Sequence, residues 1–394
     1  MQDQTANFVT EPGNAFQTYE EPHLRAGKPA ARELVEVVVI GAGQAGLATS
    51  YHLKRRGIEH VVLEAAPRIG DNWRRRWDSL RLFTPCRFNA LDGMRFSKPP
   101  TSFATKDEMA GYLETYAARF DLPVRTGTAV RSLSAKGGRY LLDLDGSHMV
   151  ARQVVIAAAS MQAPKRPDFA GELDPSTRQL DARDYRNPAQ IAPGRVLIVG
   201  AGNSGAEIAS DLAATHEVLL AGKSPGELPV PYDSWRATQV MMPFMFRILF
   251  HRVLSTATPM GRKALPKFIS HSHPWIRVRR KNLEAAGVRL LPRVAGISSG
   301  KPRFDDGSVE DVATVIWCTG YTPGLDWVKL DVLDDNGRLR QHRGSVEGQP
   351  GLHVVGMHFQ RAASSVMIHG VSTDARLVAA EVSRRLRASE VTTV

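Results

Sequence analysis

Cysteine is scarce in this chain: Cys86 and Cys318 are the only two among 394 residues. No C-x-x-C occurs, so neither a disulfide framework nor the dithiol relay of a disulfide reductase is available. Both read as reduced core thiols of a cytoplasmic protein, since free cysteine packs as a small hydrophobe. Long apolar runs are also missing. The most apolar stretch, Met241 to Phe250, is far too short to span a bilayer, so no transmembrane segment is expected. Residues 1–33 are polar, broken by Pro12, Gly13, Pro22 and Pro29, and have no apolar centre. They read as a loose arm rather than a signal peptide. No zinc-ligand spacing is present, and no metal site is expected.

Acidic charge is in deficit, leaving a net charge of +11. Such an excess suits nucleic acid or an anionic membrane surface. The cations are scattered, however (Arg74 to Arg76, Arg277 to Lys281, Arg384 to Arg387), and no RNA-binding signature accompanies them. A basic surface that attracts anionic cofactors is the simpler reading, with no nucleic-acid partner. The length suits two domains able to bury a flat aromatic cofactor.

What is abundant is glycine at two places. VEVVVIGAGQAG carries Gly41, Gly43 and Gly46, and RVLIVGAGNSG carries Gly200, Gly202 and Gly205. Each turn follows a β-branched run and precedes a helix-like segment. Gln44 to Arg56 is stopped by Gly57 and followed by the strand His60 to Glu64; Ser204 to Ala214 is followed by Glu217 to Ala221. In such a unit the first glycine permits the tight turn, the second admits a diphosphate and the third lets helix and strand pack closely. Gln44 and Ala45, and likewise Asn203 and Ser204, open helices whose N–H groups face that phosphate. Glu64 stands 23 residues after Gly41, and Lys223 stands 23 after Gly200. A carboxylate there accepts from an unmodified ribose, whereas a cation, with Ser224 beside it, suits a 2′-phosphate. The pairing that follows is FAD on the first turn and NADPH on the second.

Around these units, Lys106 to Phe120 reads as a helix capped by Thr105. Ala129 to Leu133, Tyr140 to Leu144 and Met149 to Ala157 read as an antiparallel meander returning to the first sheet. Five prolines between Met161 and Arg195 mark a linker, Thr314 to Cys318 reads as a second return strand, and the strand Leu352 to Val355 and helix Ser372 to Arg387 close the chain. The expected fold is α/β, with two Rossmann-like three-layer dinucleotide-binding domains. The NADPH domain, 191–312, is inserted in a discontinuous FAD domain, 34–190 and 313–394. Asp233 to Pro292 suggests two helices carrying Met241, Met242, Phe244, Met245, Phe246, Phe250 and Trp275. This stripe reads as core, as a wall over a hydrophobic substrate cavity, or as a membrane-surface helix, since Arg247, His251, Arg252, Arg262 and Lys263 flank it.

The two turns, IGDNW (Ile69 to Trp73), WDSLRLFTP (Trp77 to Pro85), WCTGY (Trp317 to Tyr321) and GMHFQRAASSVMIHGVSTDA (Gly356 to Ala375) resemble the flavin-containing monooxygenases, closest to a bacterial branch near the plant YUCCA-type enzymes. The resemblance implies that Asn72, Trp73 and Leu82 to Thr84 line the FAD, that Ser204 to Glu207 meet the NADPH diphosphate, and that Thr319, Gly320 and Tyr321 belong to the cofactor site. It also places Arg81, Gln360, Arg361 and His369 as catalytic candidates near the flavin, His369 being attractive as a group that titrates near neutral pH. The chain departs from the family pattern at three places. Asp181, ahead of Tyr185, replaces the fingerprint histidine that follows Phe169 and Gly171; the first return reads Ala158-Ala159-Ser160; and Pro85 stands where animal members have asparagine.

The implied chemistry is monooxygenation through a C4a-(hydro)peroxyflavin formed with O2. Such an adduct oxygenates nitrogen or sulfur, or attacks a carbonyl as in Baeyer–Villiger and oxidative decarboxylation reactions. The partners are then O2 and a small or medium organic substrate, and a homodimer is the oligomer kept in view. The alternative is a flavin reductase or oxidase that releases H2O2.

Overall fold

The computed structural model describes residues 32–158, 162–270 and 273–391; the arm expected over 1–33 falls almost wholly outside them, as do Ala159 and Ser160 of the first return. The strand Arg32–Ile40 lies parallel between His60–Leu63 and Ser147–Ile156. Leu352–Val354 adds on the far side of Ser147–Ile156, and Val124–Arg125 beyond His60–Leu63. Alternation along the central strand explains why every residue of the Val37–Val38–Val39 run is apolar. Val37 and Val39 pack beneath helices Gln44–Lys54, Lys106–Arg119 and Ile368–Val391, through Leu47, Met109, Leu113 and Val378. Val38 and Ile40 face the meander, meeting Leu133 and Leu142. Helices, sheet and meander make three layers. Thr105 starts the helix Lys106–Arg119 with a reciprocal capping box to Glu108, two orphan amides being satisfied at once.

The second sheet is parallel throughout, in the order Arg178–Asp181, Thr314–Trp317, Val196–Val199, Val218–Ala221 and Arg289–Leu291. It draws strands from both sides of the 191–312 window. Within the proline-rich linker, Arg178–Asp181 extends the sheet, while Thr314–Trp317 pairs directly with Val196–Val199. The two connections between the sheets run together, Ala163–Pro164 pairing antiparallel with Tyr321–Thr322. Both cysteines are free, and burial pushes the Cys86 thiol up and the Cys318 thiol up to about 12, as inert core thiols should be.

The Met/Phe-rich stretch is more finely divided than the two helices expected. A π-helical segment Ala237–Met241, an α-turn Met242–Phe244 and a longer π-helical segment Met245–Val253 run end to end, followed by helices Pro259–Ser270 and Arg280–Ala285. Pro243 sits between the π segments, where its missing N–H interrupts the ordinary i→i−4 ladder. Met242 and Phe246 are buried against Phe88, but Phe244 faces outward and Trp275 joins the core of the second sheet. The closing helix begins at Ile368, ahead of the expected Ser372.

Candidate functional site

Both glycine turns have the geometry that a diphosphate requires. Gly41 has φ +101°, and a Cβ there would lie 2.9 Å from the Ala157 carbonyl oxygen. A Cβ on Gly46 would lie 1.7 Å from the Gly41 carbonyl oxygen, and one on Gly205 only 2.0 Å from that of Gly200. Gly43 and Gly202 differ: a Cβ on either would meet nothing within 4 Å. The second glycine of each turn thus opens on free space. Among the described residues no side chain caps helix Gln44–Lys54 or Asn203–Leu212, and no acidic residue lies in either first turn. Two helix starts carry unspent positive dipole ends beside that space, and a dinucleotide diphosphate fits both.

Glu64 closes the first turn. Its carboxylate accepts the Ala42 amide at 2.7 Å and the Ala66 amide at 2.9 Å. A carboxylate offers about four lone-pair positions, so acceptor capacity remains for ribose hydroxyls. Lys223 is exposed, and its ammonium makes no ion pair among the described residues. Ser224 bonds locally, accepting from the Gly226 amide at 3.3 Å.

The second turn is braced by groups that local sequence patterns do not reveal. Trp275, from the Met/Phe-rich stretch, donates its indole N–H to the Ala201 carbonyl. Asn203 grips the same segment, donating to the Pro274 carbonyl at 3.0 Å and accepting the Ile276 amide at 3.0 Å. Glu207 is buried, and that burial pushes its carboxyl up to about 7 despite Arg277 at 3.3 Å. Arg277 also reaches the Arg81 carbonyl at 3.4 Å, so the strand Arg81–Pro85 lies between the second helix start and the first domain's core.

On that strand Leu82 is buried in the same cluster as Ala42 and Ala45, with Trp73 packed against it. Trp73 Nε1 is buried and has no hydrogen-bond partner among the described residues. Asn72 is exposed on the single turn Asp71–Arg74. Thr84 donates to Asn89 Oδ1, and Asn89 Nδ2 returns a 2.9 Å bond to the Thr84 carbonyl. The fully buried Asn89 had no motif to mark it. Arg81 itself is exposed and makes only a 3.4 Å contact to the Phe103 carbonyl. In the crossover, Thr319 donates to the Lys165 carbonyl, the Gly320 carbonyl accepts from the Lys165 amide, and Tyr321 lies near Arg76. Asp181, at the fingerprint position, holds Arg166 in a two-bond pair at 2.8 and 3.0 Å, while Tyr185 donates to Asp211 at 2.8 Å.

The remaining candidates sit at the start of the closing helix. A Cβ on Gly356 would lie 3.0 Å from that of Ala45, so the loop carrying Gln360 abuts the first helix start. Gln360 accepts the Gly356 amide at 3.1 Å, and its Nε2 is buried with no partner among the described residues. The Arg361 guanidinium is committed to buried Asp374 at 2.7 Å and to His251 at 3.4 Å. His369 packs against Phe246 and Phe88, with ring centroids 5.1 and 5.9 Å away. Neither ring nitrogen is bonded among the described residues; the Phe246 carbonyl faces the ring outside hydrogen-bond geometry. The expectation of titration near neutrality is corrected here: burial pushes the imidazole down to about 4, and it is neutral at physiological pH.

The chain matches two protein families, one described as pyridine nucleotide-disulphide oxidoreductase over residues 38–227 and one as flavin-binding monooxygenase-like over residues 149–334. A CzcO-like oxidoreductase of Geobacillus kaustophilus is 37% identical over 348 residues, covering 87% of this chain and 97% of that protein. Indole-3-pyruvate monooxygenase YUCCA1 of Oryza sativa subsp. japonica is 29% identical, covering 88% and 90%. Among solved structures, a flavin-containing monooxygenase from Stenotrophomonas maltophilia is 26% identical with a TM-score of 0.72, covering 89% of this chain and 99% of that one.

Proposed function

The chain belongs to the flavin-binding monooxygenase-like family, and we propose that it seats FAD on the Gly41–Gly46 turn and NADPH on the Gly200–Gly205 turn to oxygenate a small or medium organic substrate. The observation that carries the seating is the pair of uncapped helix starts, each beside a glycine whose Cβ direction is empty. When bound, the two cofactors supply the redox chemistry: a hydride from NADPH, and flavin reactivity that puts one atom of O2 into the substrate while the other leaves as water.

The chain's own residues bind, orient and exclude water. Gly43 and Gly202 leave room for the diphosphates, and the helix starts stabilise their charge. Glu64 takes the unmodified ribose and Lys223 the 2′-phosphate, with Ser224 as a further donor. Among the described residues, buried Trp73 Nε1 and Gln360 Nε2 are donors without acceptors, a costly state that at Trp73 the acceptor-rich edge of a flavin ring would relieve. Arg361 we assign as a positioning residue, since its guanidinium is held by Asp374. Neutral His369 donates one hydrogen bond and accepts another toward substrate without adding charge. Arg81 remains the exposed cation at the mouth between the two turns.

The test is purification followed by visible spectroscopy for retained flavin, then NADPH oxidation, O2 uptake and peroxide release with an amine, a thioether, a ketone and a 2-oxo acid. Oxygenated product formed in step with NADPH supports the reading. Peroxide equal to NADPH consumed under every condition makes the protein an NADPH oxidase instead.

A further inference from the structure

We infer that the Met/Phe-rich helical segment docks the protein onto an anionic phospholipid surface. The segment has two faces. Met242 and Phe246 point inward, Phe246 meeting Phe88 at 5.1 Å. Outward stand Val240, Phe244 and Ile248, four residues apart and 58%, 54% and 44% exposed, with Trp235 ahead of them at 71%. Residues at this spacing share one side of a helix. Met260, on the next helix, is 59% exposed as well. A contiguous strip of large apolar side chains is not the scatter of single exposed hydrophobes normal on a surface.

The charge around the strip is of one sign. Between Glu227 and Glu284 the only acidic residue is Asp233. Arg236, Arg247, Arg252, Arg262, Lys263 and Lys267 are all exposed there, and among the described residues none is in an ion pair. On other faces some surface arginines are matched, as in Arg131–Asp145, Arg166–Asp181 and Arg384–Glu381. An apolar strip carrying a tryptophan and rimmed by unmatched cations complements a surface that is greasy within and anionic at its edge. A second copy fits less well, because a two-fold contact would set the same cationic rims against each other. The contact is interfacial: no helix among the described residues is long and apolar enough to cross a membrane.

The experiment is sedimentation of the full-length, FAD-loaded protein with vesicles of phosphatidylcholine alone or mixed with phosphatidylglycerol. The protein is expected to bind the mixed vesicles, with affinity falling about tenfold when salt is raised to about 0.5 M. Phe244→Ser with Ile248→Ser is expected to lower binding about tenfold while NADPH oxidation without vesicles stays unchanged. Arg252→Glu with Lys263→Glu provides a second variant that leaves the apolar strip intact and should lose binding to the mixed vesicles. Equal binding to both vesicle types, or full binding by both variants, overturns the inference. Sedimentation velocity showing a dimer that the serine variant dissociates, with no vesicle binding by the parent, overturns it in favour of a second copy.

Discussion

The indole nitrogen of Trp275 donates a 2.9 Å hydrogen bond to the carbonyl oxygen of Ala201, the residue between the first two glycines of the second turn. Trp275 is buried, and its backbone also bonds to Gly226 and Leu228. The segment after the Met/Phe helices thereby clamps the turn proposed to face the diphosphate. Trp275→Phe keeps the ring and removes the bond, leaving a buried carbonyl unpaired. It should cost about 1–3 kcal/mol of stability and raise KM for NADPH while flavin content stays at the parental level. Thermal unfolding and steady-state kinetics check this; an unchanged KM with lowered stability would reduce the clamp to a packing role.

Gly43 and Gly46, three residues apart, should fail in different ways. A side chain at Gly46 collides with the Gly41 carbonyl, so Gly46→Ala should lose more than about 3 kcal/mol and fold poorly. A Cβ at Gly43 meets nothing within 4 Å, so Gly43→Val should fold normally yet emerge colourless, because its side chain enters the diphosphate space. Circular dichroism and the flavin-to-protein absorbance ratio separate the two; a yellow, active Gly43→Val would refute the placement.

Lys223 is solvent-exposed and unpaired among the described residues, so its removal should leave the fold intact. Lys223→Ala is expected to raise KM for NADPH about tenfold, with KM for NADH within about twofold of the parent. A parallel rise for both coenzymes would mean that this lysine does not read the 2′-phosphate.

Acid should destabilise the fold through two histidines, buried His353 and partly buried His369. Burial holds His353 and His369 down at about 4, below the ordinary 6.5. Between those values the unfolded chain binds more protons, so stability is full above 6.5 and is lost as pH falls through about 4. His353 is fully buried with Nδ1 unpartnered among the described residues, and its share is at most about 3 kcal/mol. Urea unfolding at several pH values should show a shallower decline in His353→Gln than in the parent. Equal slopes would place the acid sensitivity elsewhere.

Much of the fold was legible because its signals are local. The Val37–Ile40 run, the positive-φ glycines, the Thr105 cap and the meander's turns each lie in a few consecutive residues, and backbone sterics and hydrogen bonding act over that range. The sheet membership of Arg178–Asp181 was hidden, since a four-residue strand among prolines has no pattern of its own. The division of the Met/Phe stripe was hidden as well. Hydrophobicity marks Met242 and Phe244 alike, although one is buried and the other exposed.

From sequence alone came two glycine turns of opposite character, Glu64 against Lys223, and the absence of a C-x-x-C dithiol. Tertiary structure decided what the remaining candidates are free to do. It committed Arg361 to Asp374, left Trp73 and Gln360 with donors unspent among the described residues, and drove His369 away from neutral titration. The physical reason is that φ angles and helix-end dipoles belong to neighbouring residues. Burial, unmet hydrogen bonds and displaced pKa values instead depend on groups brought in from distant parts of the chain.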